Sequence, residues 1–530
     1  MIASVAAIIV LAAPSTIAQN AYYQDHYLVG LLNYPNSFVP KEFQNHTSGT
    51  YLQNDRDQDW AADKDAPYDY VPNVGFSDFE FYYNAEGKKV VGEYYGLSDN
   101  GYGGIYDENS ADYPLNIQHM RVQKPFTYRH GESSFEKYTK AEHLGLAILR
   151  DPNKYIKWEN NADIQVTYKI PDDTWKDWKE ERVLTGRDID PEGLAVINHE
   201  CAVLGDEHMP AVLMVNPNTG EVLSKFVRTP DIDENGKFNG KFLSTSRDKV
   251  HCTIKDLEAD ACRTVDSDVV DEAGYRRVDK SGGYEGFARL DDGTIAAFIE
   301  KQDGDSTLQD EPGTRVYKVL PGDCTSGSAP EFDSFIGYYP FEINAVKVAD
   351  VSTIPGSSRF VLVIERNGFP NGHMFPSPGM PANNLCIVDL LDLDEDMVMR
   401  NKKCILNYHN IDDPWDVDGN GILKYAQTQV TNEGVLVVDD YCIIAATDTN
   451  FPWVNQFKLN EDTTEYFQEV SDARFMVICF IEPIFNLEHP IYQTSEDLKL
   501  DHSSSTKFEW TLFKSMSFVF GVSICLLTFV

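Results

Sequence analysis

The chain has 530 residues and a formal net charge of −39, from 45 Lys plus Arg against 84 Asp plus Glu. So acidic a surface disfavours nucleic acid, anionic membrane surfaces and other polyanions as partners unless cations intervene. A hydrophobic content of 42%, with 28 Tyr and 29 Phe, is ample for a packed core and typical of β-rich chains. The composition therefore indicates a globular protein that binds anions only through metal ions or local Arg and Lys.

The N-terminus has the features of a secretory signal. Residues 2–13 are apolar, and the small residues Thr16 and Ala18 suit signal peptidase, which predicts a signal peptide over 1–18. The segment lacks Lys and Arg before its apolar run, and a buried first strand is the alternative interpretation. Residues 19–72 are predicted to be an N-terminal extension, in which the sequon makes Asn45 the expected glycosylation site.

A short sequence motif, which we call the phrase, then recurs. It consists of an apolar strand containing Glu-Gly, a turn, and a second apolar strand followed by an acidic residue. In three copies the Glu and the closing acid are 15 residues apart. These pairs are Glu192 and Glu207, Glu285 and Glu300, and Glu433 and Asp448. Asp350 and Glu365 repeat the interval without Glu-Gly, and residues 95–100 form a divergent closing half that contains Asp99.

Each copy predicts a β-hairpin, because two short apolar strands joined by a tight turn favour that structure. Hairpins repeated at long intervals, with no helical periodicity between them, indicate a radially repeated all-β fold, the β-propeller. We predict that the propeller spans residues 73–485, with six or seven blades and long inter-strand loops.

The residues around the phrase resemble a known family. The segments 187–195, 283–288 and 363–367 are similar to marks of the phytase-like family, also called "esterase-like activity of phytase". The resemblance implies a β-propeller and hydrolysis of phosphoesters or other esters.

The phrase acids are the first candidates for a functional site, because equivalent points of radially arranged hairpins lie on a ring. Acids at close range repel each other unless cations or Arg balance them, and hard oxygen ligands favour Ca²⁺. The alternative is that each acid only accepts backbone N–H bonds. The predicted catalytic residues are Glu207, Glu300, Glu365, Arg366 and His208. The predicted substrate-binding residues are Arg187, Glu192, Glu285 and Asn450, and the predicted metal ligands include Asp99 and Asp448.

Two Asp-rich loops, 231–236 and 416–421, resemble the first half of a calcium loop. The twelfth positions are Phe242 and Gln427 where such a loop needs Glu, so an EF-hand is rejected. A simpler calcium loop at 416–420 would use Asp416, Asp418 and Asn420, and ordinary β-turn chemistry is the alternative. No Gly-x-Ser-x-Gly elbow and no zinc-hydrolase motif is present, so metal-assisted hydrolysis suits the residues best.

The cysteines and the C-terminus indicate an extracellular protein. Eight cysteines outside the tail suggest a disulfide set, with Cys252–Cys262 and Cys386–Cys404 as local pairs. The other four are Cys201, Cys324, Cys442 and Cys479. A linker over 486–505 and an apolar tail over 506–530 match the signal for a glycolipid (GPI) anchor, with a transmembrane helix as the alternative.

The sequence therefore predicts a secreted, monomeric, surface-anchored hydrolase of small phosphoesters or esters, held at the plasma membrane by its tail and assisted by Ca²⁺. It is not expected to bind nucleic acid. The competing hypothesis is a non-catalytic extracellular propeller that binds a protein or glycan, since the fold serves both roles.

Overall fold

The structure is a computed structural model of the chain. It describes residues 25–35, 40–49, 68–102, 110–122, 141–157, 160–162, 178–233, 235–245, 250–251, 263–264, 275–278, 282–301, 313–368, 382–419, 421, 423–425, 431–449, 456–459, 466–469 and 472–484.

The regular structure of the described residues is mainly β-strand, with a short 3₁₀ helix at Lys41–Phe43 and a helical turn at 178–181. The strands of the first half are β1 (His26–Tyr34), β2 (Gln44–Ser48), β3 (Tyr68–Tyr70), β4 (Asp78–Tyr83), β5 (Lys89–Leu97), β6 (Asn116–Val122), β7 (Ala141–Ile148), β8 (Pro191–Asn198), β9 (Cys201–Asp206), β10 (Ala211–Val215), β11 (Val227–Arg228), β12 (Pro230–Ile232), β13 (Phe238–Ser244), β14 (Val250–His251), β15 (Arg263–Thr264) and β16 (Tyr275–Arg277). Those of the second half are β17 (Tyr284–Arg289), β18 (Ile295–Ile299), β19 (Gly313–Leu320), β20 (Glu331–Pro340), β21 (Lys347–Thr353), β22 (Phe360–Arg366), β23 (Asn383–Asp389), β24 (Lys402–Asn407), β25 (Asn432–Val437), β26 (Cys442–Thr447), β27 (Gln456–Leu459), β28 (Tyr466–Glu469) and β29 (Ala473–Phe480).

Twenty of these strands form five four-stranded antiparallel sheets, the blades of a propeller. Counted from the innermost strand, blade 1 is β4-β5-β6-β7, blade 2 is β8-β9-β10-β11, blade 3 is β17-β18-β19-β20, blade 4 is β21-β22-β23-β24 and blade 5 is β25-β26-β29-β1. The innermost strands contact one another in this order, and β25 contacts β4, which closes the ring. The propeller prediction is confirmed, with five blades in the described residues rather than six or seven.

The blade count was overestimated because the insertions between the blades are long. One of them separates β11 from β17 and contains a three-stranded sheet, β12-β13-β16, and the pair β14-β15. Such an insertion uses length that a minimal blade would need, without adding a blade to the ring.

Blade 5 is completed by the N-terminal strand. β1 pairs with β29 along its length, from His26 opposite Phe480 to Tyr34 opposite Ala473. The segment 19–72, predicted to be an extension outside the propeller, therefore supplies one strand of the ring. Both ends of the described chain meet in one blade.

The blades pack through apolar side chains on both faces of each sheet. Clusters of fully buried residues join blades 5 and 1, 1 and 2, 2 and 3, and 3 and 4. Strands buried on both faces are continuously apolar rather than alternating, as in Ala211–Val215, where every residue is buried. This explains why the hairpins could be recognised in the sequence.

Three disulfides are present in the described residues. Cys386–Cys404 and Cys442–Cys479 join neighbouring strands within blades 4 and 5, and Cys201–Cys324 links blade 2 to the β19–β20 loop of blade 3. The predicted pairing is confirmed for Cys386–Cys404. Cys252 and Cys262 lie outside the described residues, as do the predicted signal peptide, linker and tail.

Within the part of the chain that the structure describes, no helix is long and apolar enough to cross a membrane.

Candidate functional site at the mouth of the propeller

The three Glu-Gly phrases occupy the same place in their blades. In blades 2, 3 and 5 the glycine pairs with the second strand, Gly193 with Gly205, Gly286 with Phe298 and Gly434 with Ala446. Each register shifts by one residue immediately before that glycine, so the preceding Glu lies in a β-bulge. Bulges redirect side chains out of the ladder, and here they place the glutamates at the end of the ring that we call the mouth.

Blade 4 has the same hairpin with different residues. Val348 pairs with Glu365 and Asp350 with Ile364, with the bulge at Ala349. Asp350 therefore takes the place of the glycine, and Arg366 takes the place of the closing acid. The interval from Asp350 to Glu365 suggested Glu365 for that place. The observed register differs by one residue from the one that this interval predicts. In a strand, a shift of one residue moves a side chain to the opposite face.

Blade 1 has the same arrangement as blade 4, with an aspartate at the glycine position. Asp78 pairs with Leu97, so Asp78 stands at the glycine position and Asp99 at the closing position. The residues at the closing position around the ring are Asp99, Glu207, Glu300, Arg366 and Asp448. The residues at the glycine position are Asp78, Gly193, Gly286, Asp350 and Gly434.

The glycines are required because neighbouring inner strands approach closely. A Cβ atom on Gly286 would lie 2.4 Å from the Val351 backbone nitrogen and 2.8 Å from the Asp350 carbonyl carbon. On Gly434 it would lie 3.0 Å from Cβ of Phe79. The Gly of the phrase is thus a packing requirement, while the Glu beside it is not.

The aspartates at the glycine position connect blades instead. Asp78 Oδ2 accepts the N–H of Leu194 in blade 2 at 2.5 Å, and Asp350 Oδ2 accepts the N–H of Val435 in blade 5 at 2.6 Å. Each also accepts the N–H of its own following residue. Burial, together with the charge of Asp350, raises the pKa of Asp78 well above its usual range.

At the mouth, two lysines pair with Glu300. Lys347 Nζ lies 2.5 Å from Glu300 Oε1 and 3.8 Å from Glu285 Oε1, and Lys301 Nζ lies 2.7 Å from Glu300 Oε2. Lys301 also lies 3.9 Å from Glu207 Oε1. Burial alone would raise the pKa of Glu300, but Lys347 and Lys301 hold it below its usual range.

Arg366 pairs with Glu433 of blade 5, and both are buried. Its charge also acts on Glu285, Glu300, Asp448 and Glu192. An arginine at the closing position of blade 4 therefore offsets acids from three other blades.

The acids of blade 2 have few positive neighbours. Burial raises the pKa of Glu192 well above its usual range, and the charges of Asp190 and Glu285 add to the effect. Burial and the charge of Glu300 do the same for Glu207. In blade 3, burial and Glu300 raise the pKa of Glu285 to about 8 although Lys347 opposes the shift.

His208 is held by Asp190. Asp190 Oδ2 lies 2.9 Å from His208 Nε2 and accepts Asn100 Nδ2 at 2.6 Å, while Oδ1 accepts the Asn100 N–H at 2.9 Å. Both His208 and Asp190 are buried. The contacts fix the orientation of the imidazole beside Glu207.

We call the connected set of charged residues at this end the mouth cluster. Its carboxylates are Asp99, Asp190, Glu192, Glu207, Glu285, Glu300, Glu433 and Asp448, and its cations are Lys301, Lys347 and Arg366.

A family model described as "Phytase-like: Esterase-like activity of phytase" matches residues 75–451. The chain belongs to the Phytase-like family. No curated protein matches the chain.

Two solved structures are similar to this phytase-like chain at low TM-scores. A GH74 xyloglucanase from Xanthomonas campestris has 12% identity and a TM-score of 0.26, with 85% of this chain and 55% of that one covered. Apo AztD from Citrobacter koseri has 9% identity and a TM-score of 0.21, with coverages of 74% and 93%. The chain thus spans about half the length of the xyloglucanase. Neither likeness carries an argument about this site.

Several residues predicted for the phytase-like site have other partners. Glu365 is buried, with its Oε2 2.7 Å from Lys402 Nζ and 2.8 Å from the Tyr339 hydroxyl. Arg187 is half-buried and donates from Nη1 to Asn161 Oδ1 at 3.0 Å. Asn450 and Asn420 lie outside the described residues.

The two Asp-rich loops differ from each other. Asp231 is buried and its Oδ1 lies 2.7 Å from Arg315 Nη1, so it forms a buried ion pair in the core. In the second loop, oxygens of Asp413, Asp416 and Asp418 lie within 4.8 Å of one another. Asp413 accepts the N–H groups of Val417 and Asp418, which is the hydrogen bonding of a turn.

The mouth contains two further groups with metal-ligand spacing, one within the mouth cluster and one that also includes His208. Oxygens of Glu207, Glu285 and Glu300 lie within 4.8 Å of one another, as do ligand atoms of Asp190, Glu207 and His208. The first group offers oxygen alone, which fits a hard cation such as Ca²⁺.

Sequence reasoning missed Asp190, Lys301, Lys347 and Glu433 as members of the site. Glu433 stands in a Glu-Gly phrase, so its position alone could have identified it. Lys301 directly follows a closing acid. Lys347 precedes the pair of Val348 with Glu365 as Asp190 precedes the pair of Pro191 with Asp206, and only the register shows that.

Proposed function

We propose that this protein is a metal-assisted hydrolase of phosphoesters, or of other esters, that acts at the mouth cluster. The observation that carries the proposal is the convergence of carboxylates from blades 2 and 3 with Lys301 and Lys347 at one end of the ring. Membership of the Phytase-like family supports ester hydrolysis as the reaction class.

The charges of the cluster favour a bound cation. Eight carboxylates face three cationic side chains, and a buried carboxylate either keeps a proton or needs a positive partner. Glu192 is only 8% exposed and makes no hydrogen bond or ion pair with the described residues. We propose that Glu207, Glu285 and Glu300 hold Ca²⁺, with Glu192 beside them.

When bound, the cation would polarise a phosphoryl oxygen and offset the charge that develops there. Lys301 and Lys347, whose side chains are 27% and 21% exposed, would contact the other phosphoryl oxygens. Water adds to phosphorus while the bond from phosphorus to the alcohol oxygen breaks. Glu192 would give a proton to the leaving oxygen and regain one from the attacking water.

The test is an activity screen of the purified protein on nitrophenyl phosphate, bis-nitrophenyl phosphate and nitrophenyl acetate, with Ca²⁺ or with chelator. We expect calcium-dependent hydrolysis of at least one substrate and a loss of about 100-fold or more in kcat for Glu192→Gln. No hydrolysis above background in any condition would instead favour a non-catalytic propeller that binds a protein or glycan.

Calcium binding is tested separately from activity. Ca²⁺ should raise the Tm of the wild type by mass action, because it binds only the folded ring. Glu207→Gln and Glu285→Gln should remove most of that gain. Asp418→Asn is the matched control, since it alters the second acidic loop and should leave the gain intact. If Asp418→Asn alone abolishes it, calcium belongs to the loop.

We further propose that the protein is secreted and held at the cell surface by a glycolipid anchor. Three disulfides support an oxidising compartment, and the apolar residues 516–530 support the anchor. Phosphatidylinositol-specific phospholipase C should release the protein from cells. Retention after verified cleavage of a control protein would favour a transmembrane tail.

A further inference from the structure

The rim of the mouth carries two exposed aliphatic side chains. They lie in residues 341–346, which join β20 of blade 3 to β21 of blade 4. Ile343 is 80% exposed and Val346 is 56% exposed. Lys347 of the mouth cluster directly follows Val346.

The strand pairings place this loop at the mouth. Pro340, at the end of β20, pairs with Gly313 at the start of β19. Thr314, which follows Gly313, donates from Oγ1 to the carbonyl oxygens of Ile299 and Lys301, at 2.7 and 3.0 Å. The chain therefore leaves blade 3 beside Glu300 and enters blade 4 at Lys347.

Hydrogen bonds hold the loop in place. The Val346 N–H donates to the Arg366 carbonyl at 3.1 Å, and Asn367 Nδ2 donates to the Asn344 carbonyl at 2.8 Å. The Glu342 N–H donates to the Glu365 carboxylate at 3.3 Å. The two aliphatic side chains are thus displayed by an anchored turn. A frayed segment would lack these bonds.

We propose that the substrate of the mouth site is amphiphilic, with an anionic ester group and an aliphatic chain that lies on Ile343 and Val346. The inference rests on the proposed function and narrows its substrate class to alkyl phosphates or similar esters. The partly exposed Lys301 and Lys347 can meet the anionic group, while the exposed side chains of Ile343 and Val346 beside them are uncharged. The carboxylate of Glu342 in the same loop lies 3.7 Å from Lys402 Nζ. An aliphatic chain leaving the mouth there covers apolar surface that water otherwise contacts.

The test measures binding of methyl, butyl and hexyl phosphate, each below its aggregation threshold, by calorimetry with Ca²⁺ present. We expect affinity to rise about twofold per methylene, roughly half the effect of complete burial. The double variant Ile343→Ser/Val346→Ser should bind all three with equal affinity. Leu391→Ser is the matched control, because Leu391 is 66% exposed at the opposite end of blade 4. This variant should keep the dependence of affinity on chain length.

The outcomes separate this inference from the proposed function. Equal affinity of the wild type for all three phosphates overturns the amphiphilic substrate and leaves hydrolysis at the mouth standing. A chain-length effect that survives in the double variant assigns the chain to another surface and also overturns it. No binding of any phosphate overturns this inference and phosphoester hydrolysis at the mouth, and leaves only hydrolysis of other esters to the activity screen. Sedimentation with phosphatidylcholine vesicles that depends on Ile343 and Val346, without any chain-length effect, identifies the rim as a membrane contact.

Discussion

Blades 2, 3 and 5 solve the problem of bringing inner strands together differently from blades 1 and 4. The first three place glycine at the closest approach and a glutamate in the bulge beside it. The other two place Asp78 and Asp350 at the glycine position, and each carboxylate accepts an N–H of the next blade. In the first arrangement the glutamate of the bulge lies at the mouth. In the second, the aspartate at the glycine position is hydrogen-bonded to the neighbouring blade. The same hairpin thus serves the site in one set of blades and the ring in the other.

The largest effect should come from the arginine that breaks the ring of closing acids. Arg366→Gln leaves the buried Glu433 without its cation and removes positive charge from Glu285 and Glu300. We expect a loss of about 3–5 kcal/mol in the free energy of unfolding, measured by urea denaturation. The control Arg400→Gln breaks an ion pair of a half-exposed arginine and should cost less than about 1 kcal/mol. Equal effects of the two variants would contradict the role of Arg366.

The close approach of the strands is tested by adding a methyl group. Gly286→Ala should lose about 2–4 kcal/mol, since its Cβ would meet the backbone of blade 4. Gly434→Ala should lose less, because a Cβ there would meet side chains at 3.0 and 3.1 Å.

The matched control for the methyl series is Gly145→Ala on β7, where a Cβ atom meets nothing within 4 Å. Thermal or urea unfolding should rank the variants Gly286, Gly434, Gly145 from most to least destabilised. Any other order would mean that the glycine of the phrase does not serve strand packing.

The aspartates that replace glycine should matter through hydrogen bonds. Asp78→Ala removes the acceptor of the Leu194 and Phe79 N–H groups and should lose about 2–3 kcal/mol. Asp78→Asn keeps an acceptor oxygen and ends the repulsion with Asp350, so it should lose less. Urea denaturation of both variants distinguishes the cases, and an Asn variant as unstable as Ala would show that the charge itself is needed.

The smallest effect is a dependence on pH at Glu80, two residues after Asp78 in β4. Burial raises the pKa of Glu80 to about 7, although the hydrogen bond from the Phe81 N–H and the charges of Lys89 and Arg289 lower it. A pKa raised in the folded state gives stability that is complete below the unfolded pKa and is lost as pH rises through the folded one. The contribution of Glu80 to stability should therefore fall by about 2 kcal/mol between pH 5 and pH 8, in addition to the contributions of Glu285 and the other carboxyls whose pKa is raised.

Glu80→Gln should reduce the slope by that amount, because glutamine does not titrate and still accepts the N–H of Phe81. Measurements belong in chelator, so that bound cations do not move the other carboxylates. A slope that is the same in both proteins would assign the pH dependence to other groups.

The hairpins and the propeller could be predicted from the sequence because apolar strands, turns and closing acids recur at a fixed interval. The register of blade 4 could not. The interval alone pointed to Glu365, while the bulge at Ala349 shifts the equivalence to Arg366. Nor could the blade number be predicted, since the insertion between β11 and β17 has the length of a blade without being one. Lys347 and Asp190 entered the site through spatial equivalence, which a linear spacing does not encode.

The closure of blade 5 by β1 has a consequence for how the protein is made. A chain synthesised from its N-terminus produces His26–Tyr34 long before its partner Ala473–Phe480. During most of synthesis this largely apolar strand has an unpaired edge, which favours wrong pairing. The ring can become whole only after Ala473–Phe480 has emerged. Quality control in the cell would thus meet an open ring with one blade unfinished, and truncation before residue 473 would leave it open permanently.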